Sequence, residues 1–326
     1  MATGTVSRWR VVFRGACWGV LVLAGGWVMV RTLVLTGGPA HGKTEQEAVM
    51  VPEGERPVIE YRFGGDIFKP YVRQLLSPGG VNVLRDMVPD HPHHHALMFA
   101  VGVDGVDFWG EGGTCGRQKH QGFDAAAPRP AGPSLGAVAE RIDWVSAERG
   151  HLARERRTID VNREQDAGAS LVTWRTRLEP AEGRASIKVD GRHYFGLGLR
   201  MPATTDNQAE FFTSAGKADG EVVAGDERLT RGKWMACSGT ADGKPITVAM
   251  FDCPGNPRPA LWFTMGKPFA YVSATLNLHR EPLTVEAGKP LTLVYGVAAW
   301  DGHVKPDAIE KLYQRWLDRV SLKVAE

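Results

Sequence analysis

Cysteine is scarce, with four in 326 residues: Cys17, Cys115, Cys237 and Cys253. Their spacing matches no zinc-binding pattern, so a cysteine-based metal fold is excluded. An oxidising compartment would permit one disulfide, and free thiols are the alternative. Acidic residues are missing from the first 40 positions, which carry four arginines (Arg8, Arg10, Arg14 and Arg31). Excess charge is missing from the rest, which holds 35 basic and 37 acidic residues. A body so balanced has no electrostatic footprint for nucleic acid. Strong internal repeats are also lacking. What remains is ordinary for a globular chain: 43% hydrophobic and 23% charged, which excludes wholesale disorder. The 39 glycines and 20 prolines suit many turns and short strands better than long helices.

The arginines at 8, 10 and 14 precede an apolar run from Gly15 to Val30. A basic stretch followed by an apolar one of this length reads as a signal peptide. The run resumes after Arg31 as Thr32 to Leu35, so a single signal-anchor is the alternative. Residues 1–40 are thus expected to be a signal peptide or signal-anchor that exports the chain to the periplasm or outside, with membrane contact only through this segment. Residues 41–57 are polar, contain Pro and Gly, and read as a linker. Residues 58–326 read as one domain.

Within that domain short apolar runs alternate with turns. Candidate strands are Val58–Phe63, Ala96–Val103, Leu171–Leu178, Tyr194–Arg200, Ile246–Asp252, Ala270–Leu276 and Leu291–Ala299. Asp-Gly occurs at 104–105, 190–191, 219–220, 242–243 and 301–302, a hairpin signal when flanked by strands. The pattern predicts an all-β protein, an antiparallel β-sandwich. Residues 124–136 read as a flexible loop. One helix is expected after Pro306, where Ile309, Leu312, Tyr313, Trp316, Leu317 and Val320 form an apolar stripe. The small basic run Arg154–Arg157 reads as a solvated strand edge.

Four of the ten histidines fall within five residues: His91, His93, His94 and His95. Read as a strand, the segment would put His91, His93 and His95 on one face, with Asp90 and His94 on the other. His91, His93 and His95 would then form a metal set for a divalent ion, with His120 or Glu111 as a further ligand. Alternatively, imidazoles and carboxylates in a cleft would act as acid and base. Trp109 beside Glu111 suggests a ring-stacking platform next to a carboxylate, a common way to hold a sugar.

Several runs resemble bacterial proteins labelled the PmoA, or methane oxygenase, family. They are Lys69-Pro-Tyr71, Pro89-Asp-His-Pro-His-His94, Gly105-Val-Asp-Phe-Trp-Gly-Glu111 and Gly116-Arg-x-x-His120. Later come Gly198-Leu-Arg200, Gly232-Lys-Trp234, Cys237-Ser-Gly239, Asp242-Gly243, and Phe251 to Pro259 followed by Trp262. The resemblance spans roughly residues 58–302. It implies a galactose-mutarotase-like supersandwich and a link to polysaccharide breakdown. It does not imply a membrane methane monooxygenase subunit, which has several spans where this chain has one apolar segment. The chain departs from these relatives at His95, where many carry Arg or a small residue, and at Phe263, where His is frequent.

Together these readings point to an exported protein acting on a carbohydrate or sugar-derived small molecule: a hydrolase, lyase or epimerase. The expected catalytic residues are His93, His94, Glu111 and His120. Substrate contacts are expected from Lys69, Tyr71, Asp90, Trp109, Arg117, Arg200, Trp234 and Asn256. A non-catalytic glycan-binding module and a His-ligated metalloenzyme are the competing readings.

Overall fold

The computed structural model describes residues 18–23, 26–32, 47–89, 91–124 and 134–321, with backbone alone for 18–32. The fold is all-β and antiparallel, with one C-terminal helix, as expected. A large sheet runs in the order 18–23, 26–32, 47–53, 56–63, 71–75, 97–100, 196–200, 271–275, 261–265, 228–231, 221–222. A second sheet runs 216–217, 210–213, 234–241, 244–252, 291–301, 169–180, 150–164, 134–146, 117–123. A small sheet joins 283–286, 186–190, 102–103 and 106–107.

Side-chain alternation along the strands sorts the faces. Val172, Trp174, Met235, Cys237, Val248, Met250, Val297 and Ala299 face the interior between the large sheets. Their neighbours Ala169, Leu171, Trp234, Ala236, Ala249, Phe251, Ala298 and Trp300 form the opposite face of the second sheet. That second face is covered by the helix Pro306–Ser321 through Ile309, Leu312, Tyr313, Trp316 and Val320, the stripe anticipated from its period. Trp316 is fully buried, and its Nε1 donates to Thr173 Oγ1 at 3.0 Å.

Two Asp-Gly pairs make the expected two-residue hairpins. Asp104-Gly105 and Asp242-Gly243 have positive φ at both residues, and the flanking residues pair as Val103↔Val106 and Ala241↔Lys244. The other three do not. Asp301, for example, ends its strand and accepts from Ser77 Oγ and Gly79 N, both at 2.6 Å.

The described residues correct some expectations and add to others. The domain starts earlier than residue 58: Glu47–Glu53 is a strand with Val49 and Val51 in the core, so the linker does not extend to 57. Residues 18–23 and 26–32 form a hairpin paired onto strand Glu47–Glu53. No helix among the described residues is long and apolar enough to cross a membrane. Residues 134–136, expected in a loop, open the strand Ser134–Ser146; residues 125–133 lie outside the described residues. Arg154–Arg157 is not an edge, because its strand pairs on both sides. Arg154 and Arg156 face solvent, whereas Glu155 and Arg157 are buried. Cys115, Cys237 and Cys253 are free thiols.

Trp316→Ala should lower unfolding free energy by about 3–5 kcal/mol in a denaturant titration, as expected for emptying a buried aromatic site. It should leave ligand-dependent behaviour of the histidine cluster unchanged, since the helix lies on the other side of the second sheet.

Candidate active site

The site is built on the outward face of the large sheet. Residues directly opposed in antiparallel register share a face. Met98, Gly198, Ser273 and Phe263 form one cross-strand row, and Arg200 and Tyr271 the next row on that face. Phe99 alternates to the interior and meets Trp144, with ring centroids 6.1 Å apart. Only glycine fits at position 198, because a Cβ there would lie 1.7 Å from the Tyr271 hydroxyl.

Over this face lie residues 85–89 and 91–96, clamped by one residue. Arg85 N donates to Arg200 O at 3.0 Å, and Arg200 N donates to Ala96 O at 2.8 Å. Within the segment the chain turns: His91 N donates to Val88 O at 3.0 Å and His94 N to His91 O at 2.9 Å. The histidines are therefore on a turn, not on a strand, and the expected facing fails. Ala96 then takes a φ of +24°, a strained backbone for a residue with a Cβ, and redirects the chain into strand Leu97–Ala100.

This turn divides the cluster into two parts. His91, His93 and His94 pack ring on ring, at 4.7 Å for His91–His94 and for His93–His94. Trp109 closes on His93 at 5.1 Å and on His94 at 4.9 Å. Beneath them Arg200, buried, places an Nη1 3.3 Å from His94 Nδ1 and its guanidinium over Phe269. His95 leaves this group. Its Nδ1 lies 3.2 Å from Asp86 Oδ1 and its Nε2 2.6 Å from Glu111 Oε1, while its ring stacks on Tyr71 at 4.4 Å.

Glu111 Oε1 also accepts from Lys69 Nζ at 2.7 Å, and Lys69 has no exposed surface. The Tyr71 hydroxyl donates to Asp86 Oδ2 at 3.0 Å. One chain of polar contacts thus runs Lys69, Glu111, His95, Asp86, Tyr71. Glu111 is aimed by its own loop: Asp107 Oδ1 accepts Trp109 N at 2.7 Å and Gly110 N at 2.9 Å, a turn that Asp favours.

The charges follow from these contacts. Carboxylates accept and do not donate, so an imidazole between two of them is best matched as a cation donating from both nitrogens. Burial alone would lower the His95 pKa, but the hydrogen bonds to Asp86 and Glu111 outweigh it and raise it. Burial would raise that of Glu111, but His95 and Lys69 hold it below the ordinary carboxylate range. Burial lowers the Lys69 ammonium, with Glu111 opposing. Half-buried His93 is lowered by burial and then by the positive charge of Lys69, so it is neutral at neutral pH.

The sequence-derived residues divide accordingly. Lys69, Tyr71, His95 and Glu111 come together, and His91, His93, His94, Trp109 and Arg200 form the adjoining group. Asp90 lies outside the described residues. His120 is not with Glu111; its Nδ1 lies 2.6 Å from Glu140 Oε1. Trp234 is under the helix, with Nε1 donating to Glu310 Oε2 at 2.7 Å, and is no sugar platform. Asn256 is structural, joining Asp252 Oδ1 at 2.8 Å to the backbone of Val294. Arg117 holds the Asp66 carbonyl at 3.1 Å and covers Phe68. The metal set of His91, His93 and His95 is not assembled, because His95 faces Asp86 and Glu111. No group of three His, Cys, Asp or Glu among the described residues is placed to hold a metal ion.

Asp86, Tyr271 and Phe269 were missed. Asp86 sits in an unpatterned loop with no motif to mark it. Two grooves, of about 730 and 1110 Å³, open elsewhere, one at Asp104 and Arg149 and one at Phe211 and His303. The site is therefore assigned by its side-chain chemistry.

Fold and site together describe a β-sandwich carrying a histidine–carboxylate cluster on the outer face of one sheet. The chain belongs to the family whose model matches residues 48–314 and which is described as a family of unknown function (DUF6807). No curated protein matches it. Among solved structures it is similar to a GH36 α-galactosidase from Geobacillus stearothermophilus, at 14% identity and TM-score 0.42, covering 81% of this chain and 40% of that one. An α-galactosidase from Lactobacillus brevis has 6% identity and TM-score 0.40, covering 86% and 40%. A proposed aldose 1-epimerase from Klebsiella pneumoniae has 9% identity and TM-score 0.39, covering 94% and 96%. The chain spans about 40% of the length of the two α-galactosidases.

The raised His95 pKa has a defined sign in stability. Its contribution is full below the unfolded value of about 6.5 and is lost as pH rises through the folded value. The stability difference between wild type and His95→Gln should therefore shrink as pH rises above about 6.5 and through the folded value. Urea titrations between pH 6 and 9 would measure it; a difference constant with pH would contradict a cationic His95.

Proposed function

We propose that the protein is a carbohydrate-active enzyme that works by proton transfer, an epimerase or lyase of glycosides or oxidised sugars. The observation that carries this reading is His93: a partly exposed imidazole packed on His94 and Trp109, with a pKa lowered by burial and by the charge of Lys69, near Glu111 and His95. A neutral imidazole can take a proton at neutral pH, and cations nearby would stabilise the negative charge left on a carbonyl oxygen. Glu111, already accepting from two cations, is a weak base and suits binding a sugar hydroxyl. His94 and Arg200 support His93 from beneath, and Trp109 offers a ring edge.

Hydrolysis by paired carboxylates is less well supported. That chemistry needs one carboxyl as acid and the other as base or nucleophile. Here Asp86 and Glu111 both contact the single His95 ring, which occupies them as partners of one cation. Export is part of the proposal and rests on the arginines ahead of the apolar run at Gly15–Val30.

The test is proton exchange by NMR in deuterated water, over a panel of aldoses and uronates. Wild type should incorporate deuterium into a sugar carbon, and His93→Ala should slow this by about 10²- to 10⁴-fold. Activity should hold from about pH 6.5 upward and fall only below it, since His93 must be neutral. Binding without exchange would instead identify a glycan-binding module.

A further inference from the structure

The rings of the site do not stop at Trp109. Tyr194 packs on Trp109 at 4.8 Å, His193 on Tyr194 at 5.0 Å, and His279 faces His193 at 5.9 Å. Starting from His93, this is a continuous row, each step about the width of one sugar ring. Tyr194, His193 and His279 are all partly exposed. The row has a solid floor. Phe195 lies parallel to Trp109 at 5.6 Å, and buried Phe263 sits against both His193 and Tyr194.

We propose that this row is a second sugar subsite, so that the substrate is an oligosaccharide of at least two residues. The inference rests on the proton-transfer reading of His93, and it adds the substrate's length. Aromatic bodies with polar tips suit sugars, which present apolar C–H faces and hydroxyl edges. The hydrogen-bonding capacity is in place along the row. His193 Nε2 lies 2.9 Å from Glu227 Oε2. His279 Nδ1 is buried and has no hydrogen-bond partner among the described residues. At the far end Arg280 pairs with Glu221 at 2.5 Å, so charge of both signs is present and no single-sign ligand is selected.

Other polymers fit less well. A peptide adding as a strand needs an unpaired sheet edge. The strands beneath the row, 196–200, 271–275 and 261–265, are each paired on both sides. A nucleic acid needs a track of cations, and the row carries Glu227 and Glu221 among its polar groups.

The experiment is calorimetric titration of the full chain with glucose, galactose and glucuronate, and with their 1,4-linked di- and trisaccharides. At least one disaccharide should bind tenfold or more tightly than its monosaccharide. Tyr194→Ala should erase most of that advantage while leaving monosaccharide affinity within twofold, and Tyr194→Phe should keep it. Melting curves establish that each variant is folded. If Tyr194→Ala does not fold, His279→Ala takes its place, with an expected loss of threefold or more in disaccharide binding alone. Equal affinity for mono- and disaccharide in wild type, or an advantage that survives in a folded Tyr194→Ala, would overturn the subsite and leave the proton-transfer reading intact. No binding and no deuterium exchange with any of these sugars would overturn both.

Discussion

A lysine with no exposed surface, held against a carboxylate that also accepts from a histidine, constrains everything around it. Lys69, Glu111 and His95 share that position together with Asp86, so that two cations face two carboxylates and Glu111 Oε1 lies within hydrogen-bond reach of both cations. Buried ions are tolerated in such arrangements and not otherwise; stranding one partner costs about 3–5 kcal/mol. The triad therefore fixes three separate loops relative to one another. Those loops are the Lys69 approach to strand 71–75, the histidine turn, and the Trp109–Glu111 turn.

The scaffold supports this from below. Arg157 crosses the interior with every donor used: a two-toothed pair with Glu155, and bonds to Gln118, Tyr61 and the Pro70 carbonyl. Pro70 lies between Lys69 and Tyr71, so the buried arginine holds the backbone that carries both. Arg200 does the same for the histidine turn, using its backbone to clamp both ends and its side chain to underlie His94. Rigid strands thus position a site made almost wholly of loop residues, the usual division between scaffold and chemistry. The electrostatic result is one imidazole kept charged and another, His93, kept neutral within the same short turn.

Much of this was legible in the sequence, and the failures have physical reasons. The all-β class and the final helix follow from periodicity, which needs no knowledge of contacts. The structure brings the histidine-dense segment against Lys69, Tyr71, Trp109 and Glu111, residues the sequence also singled out. Their grouping differs from the expected one. Alternation assumes a strand, and the turn at His91–His94 with the kink at Ala96 replaces period two by a local bend. Asp86 was invisible because a lone aspartate in a loop carries no pattern. Arg157 and Glu155 were misread because a charged run looks solvated until its strand is known to be central. Trp234 and Asn256 were drawn into the site by their residue type, yet Trp234 packs under the helix and Asn256 braces the backbone at Val294. Tyr194, His193 and His279 are separated from the cluster in sequence, so only the paired strands bring them into one row.

The central claim is the opposite charge state of two histidines in one turn. Nitrogen-detected NMR titration of histidine-labelled protein measures it directly, with His93→Gln and His95→Gln variants providing assignment. The expected result is that His95 loses its second ring proton only above the ordinary histidine range. His93 is expected to be already neutral at pH 7 and to gain a proton only below that range. A His95 that titrates at or below the ordinary histidine range, or a His93 that titrates above His95, would contradict the account.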